Sequence, residues 1–590
     1  MANAGILPLG VCVLPERPNN AARTVSYPSY VHEILGHAGI CYSTLAIEDL
    51  PDALPGLRLL LTVGETALDE DIAAKLRTWV QEGGAWLSVA GVCGLGDMFG
   101  VEVEPPACKS WGGGLGTLGE GYLTLEQAHP ALGHLKIPLH YFNGIPVRAV
   151  GVTALAGTLD AHGRATSRAA MTEIRVGEGL CLLIAPDVTG TVVRIQQGVA
   201  VTRDGVPAPD GTAPNCDNVL KAGDGGVLDW LLDRQPVPGV PGLSAFLQPI
   251  ADQWREILLR AIFHLAAKQG VPLPVLWLYP RDLPALGHIS HDTDGNDPAC
   301  ALAMLEVVES AGINTTWCVL PPGYPAEVIG AIRAAGHELA MHYDAMSEGT
   351  EWSETEFDRQ WRSLVELFGG DRPVSNKNHF LRWEGDTEFF EWCANRGIQV
   401  DESKGATKTG EIGFTFGACH PYFPVDPKGE IIDVLELPVL TQDLLIFAPE
   451  KAAEPLMAAA LRSHGVLHLL FHPAHIKTAG VADVLLGVVE KVKGQGMEWW
   501  PACRINAWER ARRKARWSDY SSTSDDASVR FSVADSLPGA SIMWLTPADG
   551  QFSVNGVVRP SRIVERWGFE FRSVTFDAEQ DGEYALGIAL

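Results

Sequence analysis

The sequence predicts a multidomain α/β chain, with an α/β domain over 1–272, a (β/α) barrel over 273–517 and a small all-β module over 518–590. Three observations predict it. At roughly 100–200 residues per domain, 590 residues call for several cores rather than one. From about 273 to 517, strand-like and helix-like stretches alternate strictly, the pattern of βαβ units around a parallel sheet. After a polar stretch at 518–528, about 60 residues of short alternating segments follow (VRFSVAD, SIMWLTP, FEFRSVTFD, EYALGIAL), with no helical period among them.

The elements follow in order along the chain. MANAGILPLGVCVLPERPNN has no basic n-region, and Pro8 and Gly10 interrupt its apolar run, so it reads as a first strand rather than a signal peptide. RLLLTVG (58–64) is a buried strand, DEDIAAKLRTWVQEGG a helix closed by glycines, and AWLSVAG the next strand. From 109 to 226 the chain is rich in glycine and short strands, and 245–269 returns to helix. Ser353 and Glu356 form a capping box that opens the helix FDRQWRSLVELFGG. INAWERARRKARW (505–517) closes the barrel region, with Arg510, Arg512, Arg513, Lys514 and Arg516 expected on a solvated face, open to pairing with acidic neighbours. SDYSSTSDDAS (518–528) reads as a linker.

Composition narrows the function classes. A formal net charge of −27 argues against a phosphate-backbone partner, which Lys and Arg would have to neutralise. The longest uncharged stretches, 235–251 and 310–326, are 17 residues each and carry several prolines, so no membrane helix is expected. Eleven cysteines form no paired CxxC spacing, and several sit in apolar runs. With no export signal read, the expected compartment is the reducing cytoplasm. Self-association stays open.

The chemistry collects where the strands of the middle region end. SHDTDG carries Asp292 and Asp294, whose spacing of two would put both on one side of a strand before Gly295 turns the chain. HELAMHYDA carries His342, SNKNHFLRW carries His379, and LLFHPAHI carries His472 with His475 three residues on. One strand-end histidine is ordinarily a rim residue. Two carboxylates and three imidazoles delivered to one rim make a metal or acid–base site, because the carboxyl ends of barrel strands converge there.

These four motifs resemble those of the NodB-like polysaccharide deacetylases, carbohydrate esterase family 4, over about residues 285–500. The resemblance implies a deacetylase-type barrel in which the first Asp of the first motif is a catalytic base and the second a metal ligand. Here those are Asp292 and Asp294, spread as D-x-D. Gly336-His337-Glu338 precedes His342, which matches the first histidine ligand, while the second ligand position holds Met346. A thioether is a poor substitute for imidazole at a borderline cation. His379 is therefore expected to replace it, with Asp401 and His420 as the other candidates. The expected ligand set is Asp294, His342 and His379 around one divalent ion, zinc by donor type, with His472 as general acid. Arg382 matches the family's third-motif arginine and would orient Asp292 or a substrate oxygen, and Trp383 would offer a sugar-stacking platform or rim packing.

The implied activity is removal of an acyl group, N-acetyl above all, from a carbohydrate or glycoconjugate. The alternatives are hydrolysis of a non-sugar C–N bond, and a non-catalytic carbohydrate-binding protein, which Met346 makes credible. Val92-Cys93-Gly94, in VAGVCGLGD, mimics the G-x-C-x-G elbow of glutamine amidotransferases, and the α/β pattern of 1–272 resembles that fold. No His-x-Glu follows, so Cys93 is expected to be structural. GGGLGTLGEG (112–121) precedes no helix and makes a weak phosphate cradle.

Overall fold

A computed structural model describes residues 7–14, 26–104, 118–125, 129–214, 218–545 and 550–589. The chain is mixed α/β and multidomain, with a parallel half-barrel sheet and separate all-β sheets. It condenses into two compact units, both discontinuous in sequence. One collects Met1–Val192, Gln253–Asp282 and Glu509–Leu590, and the other Val193–Asp252 and Leu283–Trp508.

In the first unit, a parallel array of Tyr42–Leu45, Leu9–Val13, Leu59–Val63, Ala85–Val89 and Gly179–Ile184 continues into antiparallel strands from Ala165–Val176 onward. The expected strands at 58–64 and 85–91 are thus neighbours, with the helix Glu70–Gln81 between them in sequence. The helix expected at 245–269 spans Ile250–Lys268. Most of GGGLGTLGEG lies outside the described residues, and its end joins the strand Glu120–Leu123.

Two further sheets hold the C-terminal strands. One orders Leu273–Leu276, Leu537–Leu545, Phe569–Ala578 and Arg562–Arg566; the other runs from Arg516–Ser522 through Asp526–Ser532 and Glu583–Ala589 to Phe552–Val554 and Val557–Val558. Two local expectations change here. PVLWLYP, expected to open the barrel, pairs antiparallel with the C-terminal strand instead, Val275 opposite Met543. SDYSSTSDDAS is not a linker but the body of a hairpin, Arg516–Ser522 against Asp526–Ser532. Its polar residues cover an exposed face, while the Trp517 ring packs at a tilt against Phe531, centroids 4.9 Å apart, and the Tyr520 hydroxyl donates to the Pro272 carbonyl at 2.9 Å.

The basic helix is corrected as well. It ends at Arg513, and Arg512 is buried rather than solvated. Its guanidinium meets Glu509 at 3.1 Å, while Arg513 meets Glu33 and Glu509. Charges on a helix surface stay inside only where carboxylates answer them.

The second unit carries the parallel sheet. Leu286–Asp292 lies between Thr316–Val319 and Val466–Leu470; beyond Thr316–Val319 come Glu338–Tyr343, Ser375–Asn378, Val400–Asp401 and Leu435–Glu436 in chain order. Thr441–Gln442 pairs with Val466–Leu470 at the other edge. Residues 435–442 therefore serve both edges. Leu437 donates to the Asp401 carbonyl and Val439 to that of Lys404, and then Leu440 donates to the His468 carbonyl. The order runs one way round, as a singly wound sheet requires, and not outward in two directions from a switch point.

Local sequence explains the elements. Asp297 caps Pro298–Ser310 by accepting from Ala299 and Cys300, with Pro298 at the first helical position. Ser353 caps Glu354–Leu367 by accepting the Glu356 amide, but its own amide goes to the Tyr343 hydroxyl at 3.0 Å, so only half of the expected capping box forms. Gly287 is required where it stands, since a Cβ there would meet the Trp499 ring at 2.6 Å. The buried faces of the strands and their helices, Trp317, Met341, Phe357 and Leu467 among them, make one apolar core.

Candidate metal centre

Asp292 ends its strand, and Asp294 opens the 3-10 turn Asp294–Asn296 that follows, with Gly295 at φ 73. The two carboxylates therefore converge through the turn rather than through strand alternation. Thr293 fixes that turn: its amide donates to the Cys318 carbonyl and its hydroxyl accepts from the Leu320 amide.

Asp294, His342 and His379 come together. Asp294 Oδ1 lies 3.3 Å from His342 Nε2, and its Oδ2 lies 3.5 Å from His379 Nε2. His342 Nδ1 donates to the Lys377 carbonyl at 2.8 Å, so Nε2 carries the lone pair and points at Asp294. His379 Nδ1 is 2.9 Å from Asp344, which fixes the ring from behind. His342 Nε2 and Asp294 Oδ1 are buried with no hydrogen-bond partner. Donors about 2.0–2.1 Å from a shared tetrahedral ion stand about 3.3 Å apart, so the two contacts fit a bound ion better than a direct hydrogen bond. This donor set, one carboxylate and two imidazoles, suits a borderline divalent cation.

The electrostatics agree. Burial opposes charge on His379, but the Asp294 and Asp344 carboxylates beside it outweigh that and lift the imidazole to about 9. Burial likewise opposes charge on Asp294, yet its two histidine partners hold the carboxyl far below the usual range. The shifts report concentrated negative charge, and a metal ion held here would displace the proton on His379.

Asp292 and His472 border the same cluster. Asp292 Oδ2 is 3.8 Å from His342 Nε2 and 4.0 Å from His472 Nε2, and His472 Nε2 is 3.7 Å from Asp294. His472 Nδ1 is hydrogen-bonded to Asp443, whose other oxygen accepts the His472 amide at 2.8 Å. Burial works against a charged His472, and the Asp443 carboxylate more than restores it, to about 9. His475, the nearby competitor, lies behind, with Nδ1 3.3 Å from Asp443.

Two expected substrate residues sit elsewhere. Arg382 does not reach Asp292: its Nε donates to Glu384 at 3.0 Å and its Nη1 to the Ala345 carbonyl, with Met346 Sδ at 3.9 Å. Lys377, fully buried on the strand Ser375–Asn378, stands beside Asp292 instead, with Nζ 3.4 Å from Oδ1 and 3.3 Å from Glu402. Burial alone would strip its proton; the two carboxylates hold it on and raise the ammonium well above its ordinary range. Trp383 is 1% exposed, and its ring packs on Phe389 and Phe390 with the Lys404 ammonium 3.7 Å from its centroid. A ring with no free face cannot be a platform.

The other candidates resolve plainly. Asp401 is buried against Asn376 and Ser403, and His420 Nε2 lies 2.7 Å from the Ser463 carbonyl, so neither stands in the cluster with Asp294. His337 accepts from the Thr315 amide in the turn before its strand. The sequence reading missed Lys377, Asp344, Asp443 and Glu402. Each lies within two residues of a strand's end, the one signal that could have flagged it.

In the first unit, Cys93 has the left-handed backbone of an elbow, φ 55, and its amide donates to Glu65 at 3.2 Å. Burial, then the Glu65 charge, push its thiol far up. Its polar neighbours are Glu65, Thr62 and Cys12, with no imidazole among them.

No family model matches this chain, and no curated protein matches it either. Solved structures with a similar course include a chain named as a polysaccharide deacetylase from Mycobacterium smegmatis, 20% identical over 41% of this chain and 94% of that one, at a TM-score of 0.31. A peptidoglycan deacetylase from Bacillus subtilis is 15% identical over 39% of this chain and 93% of its own, at a TM-score of 0.26. A beta-galactosidase from Bacillus circulans is 14% identical at a TM-score of 0.25, and the chain spans 29% of that enzyme's length. These neighbours are deacetylases and a glycosidase, and the amidotransferase-like reading of 1–272 draws no support from them. At such scores and identities they decide nothing about chemistry, which rests on the site's own residues.

Proposed function

We propose that this protein is a metal-dependent hydrolase that removes an acyl group, N-acetyl by preference, from a carbohydrate or glycoconjugate, using a deacetylase-type barrel. The observation that carries the reading is the convergence of Asp294, His342 and His379, with Asp292 and His472 both bordering it. Asp294, His342 and His379 would hold the ion, zinc by donor type. When bound, such an ion polarises a carbonyl and makes water acidic enough to react near neutral pH.

The chain's own residues supply the proton traffic. Asp292 is the base: Lys377 holds Oδ1, leaving Oδ2 turned toward the cluster to take the proton of the attacking water. His472 is the acid: Asp443 fixes its Nδ1, leaving Nε2 to give its proton to the departing nitrogen or oxygen. A pure binding module has no use for this second pair beside the ligands.

One observation favours the second reading, a non-sugar C–N substrate with an apolar group. Phe380 and Phe447 are about half exposed; Phe380 lies 4.8 Å from the His379 ring and Phe447 6.4 Å from that of His472. Metal analysis of the purified protein, coupled to acetate release from a panel of N-acetylated sugars and small amides, separates the readings. Asp294→Ala and His379→Ala should lose metal and turnover together. Asp292→Asn should keep the metal and lose about 10²–10⁴-fold in turnover. A parent that binds no metal, or turns over without it, would overturn the proposal.

A further inference from the structure

A second set of metal-type donors lies inside the same sheet. His288, Glu402 and His468 each have no exposed side-chain surface, and their ligand atoms approach one another. His288 and His468 face each other directly in the register of neighbouring strands, with ring centroids 4.4 Å apart. His288 Nδ1 lies 2.8 Å from the Trp500 carbonyl, and His468 Nδ1 lies 3.1 Å from the Leu437 carbonyl. A carbonyl can only accept, so both Nδ1 atoms carry hydrogen, and in the neutral rings both Nε2 atoms present lone pairs.

Those lone pairs face a carboxylate. His288 Nε2 is 3.5 Å from Glu402 Oε1, and His468 Nε2 is 3.4 Å from Glu402 Oε2. Lone pair against carboxylate is repulsive unless something positive stands between them. His288 Nε2 and Glu402 Oε1 have no hydrogen-bond partner, and Glu402 Oε2 has the Lys377 ammonium at 3.3 Å, so the interior leaves a lone pair and a carboxylate oxygen unmatched where no water reaches. His468 Nε2 has one competing partner, the Ser290 hydroxyl at 2.8 Å.

Charge counting points the same way. Glu402 is buried, and the Lys377 ammonium beside it is shared with Asp292, so the Glu402 carboxylate is only partly neutralised. His291, on the same strand, shows the satisfied alternative. Its Nδ1 also faces a carbonyl, of Phe471, but its Nε2 has the Thr315 hydroxyl at 3.1 Å and no carboxylate.

We propose that His288, Glu402 and His468 bind a second divalent transition-metal ion, distinct from the one at Asp294. The spacings of 3.4 and 3.5 Å match those at Asp294 and again suit donors about 2.0–2.1 Å from a shared ion. With every donor closed off from solvent, this ion is structural: it ties the strand Leu286–Asp292 to Val466–Leu470 and to the segment after Val400–Asp401. Lys377 keeps its place on Glu402 Oε2 and connects this buried site to Asp292.

The test is metal stoichiometry, which needs no substrate. Full-length protein is loaded with zinc, freed of excess by gel filtration, and its metal counted per chain. The parent should hold two equivalents, and Asp294→Asn one. Glu402→Gln, which keeps the side chain's shape, and His288→Asn should each hold one as well. An equivalent that survives Asp294→Asn but is lost in Glu402→Gln sustains the inner site even if the outer site binds nothing, so the two readings fail separately. A parent with a single equivalent that vanishes in Asp294→Asn overturns the proposal. A count unchanged in folded Glu402→Gln overturns it equally. Should neither inner variant fold, the parent and Asp294→Asn decide the matter alone, at two and one or at one and none.

Discussion

Replacing Lys377 by Met keeps the length of the side chain and removes one buried positive charge. The ammonium lies 3.4 Å from Asp292 and 3.3 Å from Glu402, and all three side chains are almost wholly buried. At an effective dielectric of about 20, each contact is worth about 5 kcal/mol before desolvation is charged against it. Stripping one partner from a buried pair leaves the other unanswered, at a typical cost of about 3–5 kcal/mol. The two contacts share one ammonium and do not add, so Lys377→Met should lose about 3–5 kcal/mol in all. Denaturant unfolding followed by tryptophan fluorescence measures it. Adding Glu402→Gln should recover part of the loss, with a coupling of about 0.5–3 kcal/mol. Lys377→Arg should retain more stability than Lys377→Met. A loss below about 1 kcal/mol in Lys377→Met would refute the pairing and leave Asp292 without its orienting partner.

Four further outcomes are expected. Asp344→Asn weakens the hold on His379 Nδ1 and should lower metal affinity about 10–100-fold, read by competition with a chelator. Trp383→Ala should cost about 3–5 kcal/mol of stability through the cavity it leaves, and a change confined to KM would restore the platform role. Cys93→Ala should leave acetate release within a few-fold of the parent; a loss of several orders of magnitude would revive the elbow. Burial, opposed by Glu509, depresses His37 to about 3, below its unfolded value near 6.5. The unfolded chain therefore binds the extra proton between those values, and stability is full above about 6.5 and falls as pH drops toward 3. At pH 5 the loss is about 2 kcal/mol. His37→Gln should flatten that part of a stability-versus-pH curve, with Glu33, Glu509, Arg255 and Arg513 facing the site unchanged. An identical slope in parent and variant would assign it to another group.

Much of the site was legible because its residues lie at strand ends, and a chain that alternates strand and helix brings strand ends to one rim. Asp292, Asp294, His342, His379 and His472 were found on that ground together with the family resemblance. Met346 as a vacated ligand pointed to His379, which sits 3.5 Å from Asp294. Arg382 was misplaced, and for Trp383 the choice between platform and packing stayed open until the fold settled on packing, because sequence gives a residue's neighbours in the chain and not its direction. Phe380 and Leu381 adopt positive φ, and Arg382 runs to Glu384 and the Ala345 carbonyl, away from Asp292. That backbone is costly for bulky side chains and has no signature in composition.

The sequence by itself determined the alternation that builds the parallel sheet, the helix start at Ser353, and the strand-end carboxylate and imidazoles, since each depends on periodicity or on residues within one turn. Tertiary structure alone decided the partnerships. Leu273–Leu276 joins the strands near the end of the chain, the polar 518–528 stretch closes into a hairpin, and Arg512 is buried on Glu509. Lys377, two residues before a ligand and on the strand that orients it, reaches Asp292 rather than solvent. The physical reason is common to them all: sheet pairing and the burial of charge are settled by groups that meet across long stretches of chain. Local pattern fixes which way a residue's backbone runs, but only the closed fold fixes which opposite charge or hydrogen-bond partner stands in front of it.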